Sequence, residues 1–331
     1  MKLTRICLAL AAFVTAAGAQ AADPKLAIVY GAGGKFDKSF NQAASVGAER
    51  FKKETGIPFQ EVSVASDTQT EQVLRSLARK KVDLIAAIGF AQAQAVQTVS
   101  KEFPNVKFVL IDGVATGDNV SSVQFKEQEG SYLVGVAAAL ASKTKKVGFI
   151  GGMDIPLIRA FACGYKQGVK SVDPKIEVSE NMVGSTPTAW QDPAKGGQLA
   201  VAQFESKVDV VFAAAGGSGM GALKAAKENG KLAIGVDSNQ NYLYPGTMLT
   251  SMLKRGDNAI YDSFMQVKNG KWKSGPSNKG LKEGGVDWAL DVDNRKLVTA
   301  EMEKKINAVK TDIISGKVTV VDYRTGSSCP I

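Results

Sequence analysis

The chain has 331 residues, 44% hydrophobic and 22% charged, with no histidine, ample for two globular lobes and without a bias toward disorder. Lacking imidazole, it has neither the commonest general base nor the commonest metal ligand, so any hydrolytic chemistry would rest on carboxylates or lysines. The formal charge of +9 is scattered, with acids among the basic residues, which argues against a nucleic-acid surface.

Residues 1–21 read as a secretory signal. Lys2 and Arg5 form its basic end, Ile6–Ala17 its apolar stretch and Ala19-Gln20-Ala21 its cleavage site. A soluble periplasmic protein beginning at Ala22 is expected, because no later stretch approaches the roughly twenty apolar residues of a membrane span. Cys7 lies inside the apolar stretch, far from the cleavage point, and does not look like a lipid-attachment cysteine. Cys163 and Cys329 either pair in an oxidising compartment or remain one buried and one exposed thiol.

The first apolar run, Leu26–Tyr30, leads through the Gly-rich turn Gly31–Gly34 and the stretch Lys35–Gln42 into the helical pattern Gln42–Lys53, a strand-to-helix junction. In open α/β sheets such junctions lie where ligands bind. Phe40 offers a flat apolar face and Asn41 a paired donor and acceptor, suited to gripping a heteroaromatic ring; the alternative for Phe40 is a staple beneath the helix. Further strand-like runs follow at Pro58–Val64, Val82–Ile88, Val106–Ile111, Val147–Ile150, Ile176–Val183, Val208–Ala214, Leu232–Val236 and Thr247–Ser251. Between them lie amphipathic stretches such as Thr70–Arg79, Ala91–Glu102, Leu157–Val172, Gly197–Ser206 and Met220–Glu228. This alternation predicts an α/β fold with parallel sheets and helices on both faces.

The pattern repeats once. Lys25–Gly34 matches Lys146–Asp154 and Lys81–Gly89 matches Lys207–Gly216, at separations of 121 and 126 residues, so two similar Rossmann-like lobes with a cleft between their strand-end loops are expected. Asp112 and Asp237 each end a strand, where a carboxylate meets a ligand or caps the next turn. The turn Gly216-Gly217-Ser218-Gly219 frees backbone N–H groups at a helix start but lacks the lysine of a nucleotide-triphosphate loop.

Several blocks in order now resemble the basic membrane protein family of ABC-transporter substrate-binding proteins, which includes purine nucleoside receptors. They are Asp37-Lys38-Ser39-Phe40-Asn41-Gln42, Glu129-Gly130-Ser131-Tyr132-Leu133-Val134-Gly135, Ala215-Gly216-Gly217-Ser218-Gly219, Gly235-Val236-Asp237-Ser238-Asn239-Gln240, Thr250-Ser251-Met252-Leu253-Lys254-Arg255 and Gly284-Gly285-Val286-Asp287. The resemblance implies a type I periplasmic-binding-protein fold, two lobes joined by three crossings, with the ligand in the interlobe cleft. Lobe 1 is expected at 22–124 plus about 250–272 and lobe 2 at 125–249 plus about 273–331. It further implies that Phe40 stacks on a purine, Asn41 and Asp112 bond its edge, Asp237 and Lys254 hold the ribose, and Gly216 and Gly217 lie beside them. A second aromatic completes the sandwich: Trp190, favoured by its strand-end loop, or Phe212.

One departure stands out. Many relatives carry Asp nine residues before the stacking Phe, where this chain has Gly31; if that Asp holds the sugar in them, its loss here favours a free base such as guanine, hypoxanthine or adenine, with a nucleoside still open. The implied protein is a monomer without cofactor or metal, not an enzyme, that delivers a small-molecule purine to ABC transporter membrane subunits. The competing readings are a receptor for a membrane signalling partner and a nucleoside-processing enzyme.

Overall fold

The computed structural model describes residues 22–31, 33–64 and 67–331; the signal segment expected at 1–21 lies outside the described residues. The chain builds two six-stranded sheets. Its strands are β1 (Leu26–Tyr30), β2 (Phe59–Ser63), β3 (Leu84–Ile88), β4 (Lys107–Ile111), β5 (Val120–Phe125), β6 (Lys146–Met153), β7 (Glu177–Gly184), β8 (Val210–Ala214), β9 (Leu232–Asp237), β10 (Met248–Lys254), β11 (Gly275–Lys279) and β12 (Val286–Trp288). The helices are α1 (Phe40–Thr55), α2 (Thr70–Arg79), α3 (Ala93–Glu102), α4 (Glu127–Ala141), α5 (Pro156–Val172), α6 (Pro193–Glu205), α7 (Gly219–Glu228), α8 (Gly256–Lys268), α9 (Ala300–Ile314) and α10 (Tyr323–Gly326).

The sheet orders are β11-β5-β4-β3-β1-β2 and β12-β10-β9-β8-β6-β7. Neighbours pair in parallel except β12, which runs antiparallel to β10. Parallel pairing requires helical crossovers that cover both faces, which is why the inner strands LAIVY and LIAAI are buried along their whole length.

Both sheets thread identically through their first five strands, as the sequence repeat predicts, and the repeat reaches atomic detail. Lys81 and Lys207 both take left-handed φ, 56° and 72°. Asp83 then accepts from Lys25 N, and its counterpart Asp209 from Lys143 N and Thr144 N.

Two features depart from expectation. Helix α4 gave no amphipathic signal because it is buried almost all round. The lobe division also falls elsewhere than about 250 and 273. Strand β10 stays in the second sheet to its end, paired with β9 through Leu253 and with β12 at Lys254, whereas α8 packs on α1, so tightly that a Cβ on Gly47 would lie 2.0 Å from Asp257 O. Strand β11, the polar segment GPSNK, then pairs through its backbone with β5. Such an edge strand has no apolar run to betray it. The crossings therefore sit at Lys126, at Arg255 and across 280–285, tied by Lys126 N to Lys279 O at 3.1 Å and Arg255 N to Gly285 O at 2.8 Å. Cys163 on α5 is bridged to Cys329, Cα atoms 5.6 Å apart. Among the described residues no helix is long and apolar enough to cross a membrane.

Candidate functional site

The carboxyl ends of β1, β3 and β4 face those of β6, β8 and β9 across a cavity with about 990 Å³ of empty space, part of it open to solvent. The loop after β1 is shaped by Asp37, whose carboxylate accepts the backbone N–H groups of Ser39 (2.8 Å), Asn41 (2.9 Å) and Gln42 (3.1 Å). These bonds cap the orphan N–H groups at the start of α1. Burial pushes the Asp37 carboxyl up, and the same N–H bonds oppose that rise. The turn leaves Phe40 on the cavity wall, part-buried, rather than beneath the helix.

Asn41 also lines the cavity, but its amide is engaged in the loop. Oδ1 accepts from Gly31 N at 3.1 Å, and Nδ2 donates to Asp37 at 2.9 Å. The paired edge expected to meet a ligand thus holds the loop shut instead.

The two aromatic walls come from different connections, Phe40 at the start of α1 after β1 and Trp190 between β7 and α6. Gly89, directly after β3, and Gly216, two residues after β8, both adopt positive φ, 113° and 55°. A Cβ on Gly89 would stand 3.7 Å from Phe40 Cε1, and one on Gly216 3.6 Å from Trp190 Cε3. Each lobe thus lays one aromatic ring beside a glycine of a strand-end loop. Trp190 also rests on Gly152, where a Cβ would fall 2.2 Å from its Cζ3. Ser218 ties the Gly216–Gly217 turn to this segment, donating to Ala189 O at 2.8 Å and accepting from Asp192 N at 2.7 Å.

Phe212 is not a site residue. It is fully buried in β8, with Phe149 and Tyr165 at ring distances of 5.5 and 5.4 Å, because its position in the strand points it into the core beneath the sheet.

Asp112 and Asp237 occupy matched strand ends with φ of 66° and 63°, a left-handed conformation that Asp tolerates better than most residues. Lys254, at the end of β10, forms an ion pair with Asp112 and lies 3.2 Å from Glu127 Oε1. Its ammonium stands 5.0 Å from the centroid of Phe40 and 5.3 Å from that of Phe161, within cation–π range. Burial alone would discharge Lys254, but Asp112, Glu127 and Asp237 outweigh it and hold the amine charged, its pKa raised. Burial pushes Asp112 up against the opposing pull of Lys254, and pushes Asp237 up to about 6. Asp112 Oδ1, buried at the cavity, has no hydrogen-bond partner, so a donor on the ligand would complete it.

The lobes are also bonded directly. Ser39 Oγ donates to Asp237 at 2.5 Å, Ser238 Oγ to Ser39 O at 2.8 Å and Gln240 Nε2 to Lys38 O at 2.8 Å. The structure is therefore a closed form, latched between the loop before α1 and the loop after β9.

Of the residues singled out in the sequence, Phe40, Asn41, Asp112, Trp190, Gly216, Gly217, Asp237 and Lys254 meet at one cavity. Asp37, Ser39, Phe161 and Gln92 were missed as site residues. Asp37 was legible as a helix-capping Asp. Gln92, which bridges Val29 O and Ile88 O at 3.0 and 2.9 Å, and Phe161, on a helix face like any core residue, gave no local signal.

Comparison with known proteins agrees with this architecture. ABC transporter nucleoside-binding protein BmpA of Lactococcus lactis subsp. cremoris is 38% identical over 323 residues, covering 90% of this chain and 89% of its own. Basic membrane protein A of Borreliella burgdorferi is 32% identical over 309 residues, covering 90% and 87%. The crystal structure of an ABC transporter solute-binding protein from Aeropyrum pernix K1 matches with a TM-score of 0.82 at 28% identity, over 90% of this chain and 94% of that one. The family described as ABC transporter substrate-binding protein PnrA-like matches residues 24–323. On these matches, and with two parallel-rich lobes closed over a cavity, the chain belongs to the PnrA-like family of ABC transporter substrate-binding proteins.

Proposed function

We propose that this protein is a monomeric periplasmic receptor, exported by the segment 1–21, that captures a purine nucleoside or free purine base for the membrane subunits of an ABC importer and catalyses no reaction. The observation that carries this reading is the pair of aromatic walls, Phe40 from one lobe and Trp190 from the other, on a cavity that also carries the carboxylates of Asp37, Asp112 and Asp237. A flat ring bearing N–H donors matches both features. Asp112 accepts from the purine edge through its unpartnered Oδ1, Lys254 steadies that carboxylate, Asp237 accepts from a ribose hydroxyl, and Asn41 positions Phe40 by holding its loop. The nucleoside-binding relative supports the same ligand class.

The magnitudes suffice. Stacking is worth about 1–3 kcal/mol per aromatic contact and a bond to an ionised group about 1.5–3 kcal/mol. Two stacks and a few such bonds, less ordering costs, reach the roughly −8 kcal/mol of micromolar binding. Calorimetric titration with guanosine, inosine, adenosine and their bases tests the reading. Micromolar or tighter binding is expected, weakened at least about tenfold by Phe40→Ala; an unchanged affinity in that variant removes the stacking role.

A further inference from the structure

Behind the cavity, a buried ionic chain leads from Asp112 to the C-terminal segment. Glu127, fully buried at the start of α4, stands between two cations: Lys254 Nζ lies 3.2 Å from its Oε1 and Arg324 Nη1 3.0 Å from its Oε2. Arg324 belongs to α10, outside the cavity wall. Its Nη2 also donates to Phe125 O at 3.0 Å, the last residue before the first crossing, and it pairs with Asp322 at 2.8 Å.

The segment that carries Arg324 is strapped to α5. Gln167 brackets Val321, donating to its carbonyl at 2.9 Å and accepting from its N–H at 3.0 Å, and Cys163 holds Cys329 by the disulfide. Phe161, two residues before Cys163, lines the cavity.

We propose that Arg324, held in place by the Cys163–Cys329 tether, is a positioning residue for ligand binding: it occupies Glu127 so that Lys254 stays on Asp112 at the cavity. Without Arg324, two buried carboxylates compete for a single ammonium, with Asp237 close by as a third acid. When Glu127 is ionised, Lys254 then shifts toward it and away from Asp112; when Glu127 takes up a proton, Lys254 stays on Asp112. The charged groups facing Glu127 are Lys254 from β10, Asp112 beyond β4, and Arg324 with its partner Asp322 from the C-terminal segment.

The ligand arm of the test rests on the purine reading; a ligand-free arm does not. Guanosine titrations compare wild type, Arg324→Gln, Arg324→Lys, Cys329→Ser and the double variant Arg324→Gln/Cys329→Ser between about pH 5 and pH 8. Burial already holds the Glu127 carboxyl above its usual range against the pull of Lys254 and Arg324. Loss of Arg324 raises it further, so the deficit grows as pH rises and Glu127 must ionise. We expect Arg324→Gln to weaken guanosine at least about tenfold near pH 8 and less near pH 5, with Arg324→Lys within about threefold of wild type. Cys329→Ser should weaken binding in the same direction and add nothing on the Gln background. Unchanged affinity in Arg324→Gln, a loss independent of pH, or additive effects of the two substitutions would overturn the proposal. If wild type does not bind guanosine, the purine reading falls, and thermal unfolding of the ligand-free proteins decides this one. A deficit of Arg324→Gln that widens with pH supports it, and a flat deficit overturns it.

Discussion

The closest contact at the site makes the sharpest prediction. Gly152 lies in β6 directly against the Trp190 ring, and a Cβ there would stand 2.2 Å from Cζ3 and 2.5 Å from Cε3. Carbon atoms settle at about 3.5–4.0 Å, so Gly152→Ala forces the indole off the strand by at least about 1.3 Å. Gly216 and the backbone of 190–192 limit where it goes, since the ring already sits within ordinary contact of a Cβ position on Gly216. Overpacking of this kind costs about 1–3 kcal/mol of stability, which leaves a folded protein. The loss of one stack, about 1–3 kcal/mol, should weaken guanosine roughly fivefold to 150-fold. Calorimetric titration reads this directly, with far-ultraviolet circular dichroism to verify the fold. An affinity within about twofold of wild type would mean that Trp190 anchors its own lobe and is not a wall of the ligand slot.

Three further outcomes are expected. Ser39→Ala removes the 2.5 Å bond across the cleft, worth about 1.5–3 kcal/mol, so small-angle scattering should show a larger ligand-free radius that ligand restores; identical radii for variant and wild type would deny the latch. The Asp237 carboxyl, pushed up to about 6 chiefly by burial, gives stability that is fully present below its unfolded pKa of about 3.9 and is lost as pH rises through about 6. Asp237→Asn should flatten that part of the unfolding profile by about 3 kcal/mol, and a profile that keeps its slope counts against the shift. On the purine reading, Gly31 offers a ribose hydroxyl no carboxylate, so guanine should bind within about tenfold of guanosine, and a hundredfold preference for guanosine would show that Asp237 and Lys254 hold the sugar unaided.

The sequence made the architecture legible because the signals were local and repeated. The strand β1 was read to the residue, and the matched blocks around Lys81 and Lys207 correspond to matched backbone geometry. Gly31 was legible as a departure, but its constraint was not: a Cβ there meets Ile88 O at 2.8 Å, a contact between two strands that one segment cannot reveal. Gly31→Asp therefore needs a backbone shift before its carboxylate can act. Of the two aromatic candidates, position in the sequence favoured Trp190, in a strand-end loop, over Phe212, within a strand, and Phe212 is indeed buried in the core while Trp190 lines the cavity. Glu127 and Arg324 lie 197 residues apart and meet at a crossing, beyond the reach of periodicity. The polar strand β11 was invisible because backbone pairing, not side-chain burial, places it.

The most direct test is the identity of what the protein carries. Mass spectrometry of small molecules released by denaturing the protein purified from its own cells should find a purine nucleoside or purine base at up to about one per chain, since a two-lobed receptor closed on its ligand retains it when release is slow. Release of a flavin, a sugar or another non-purine in that proportion, from a protein that gives no heat with purines, would contradict the account.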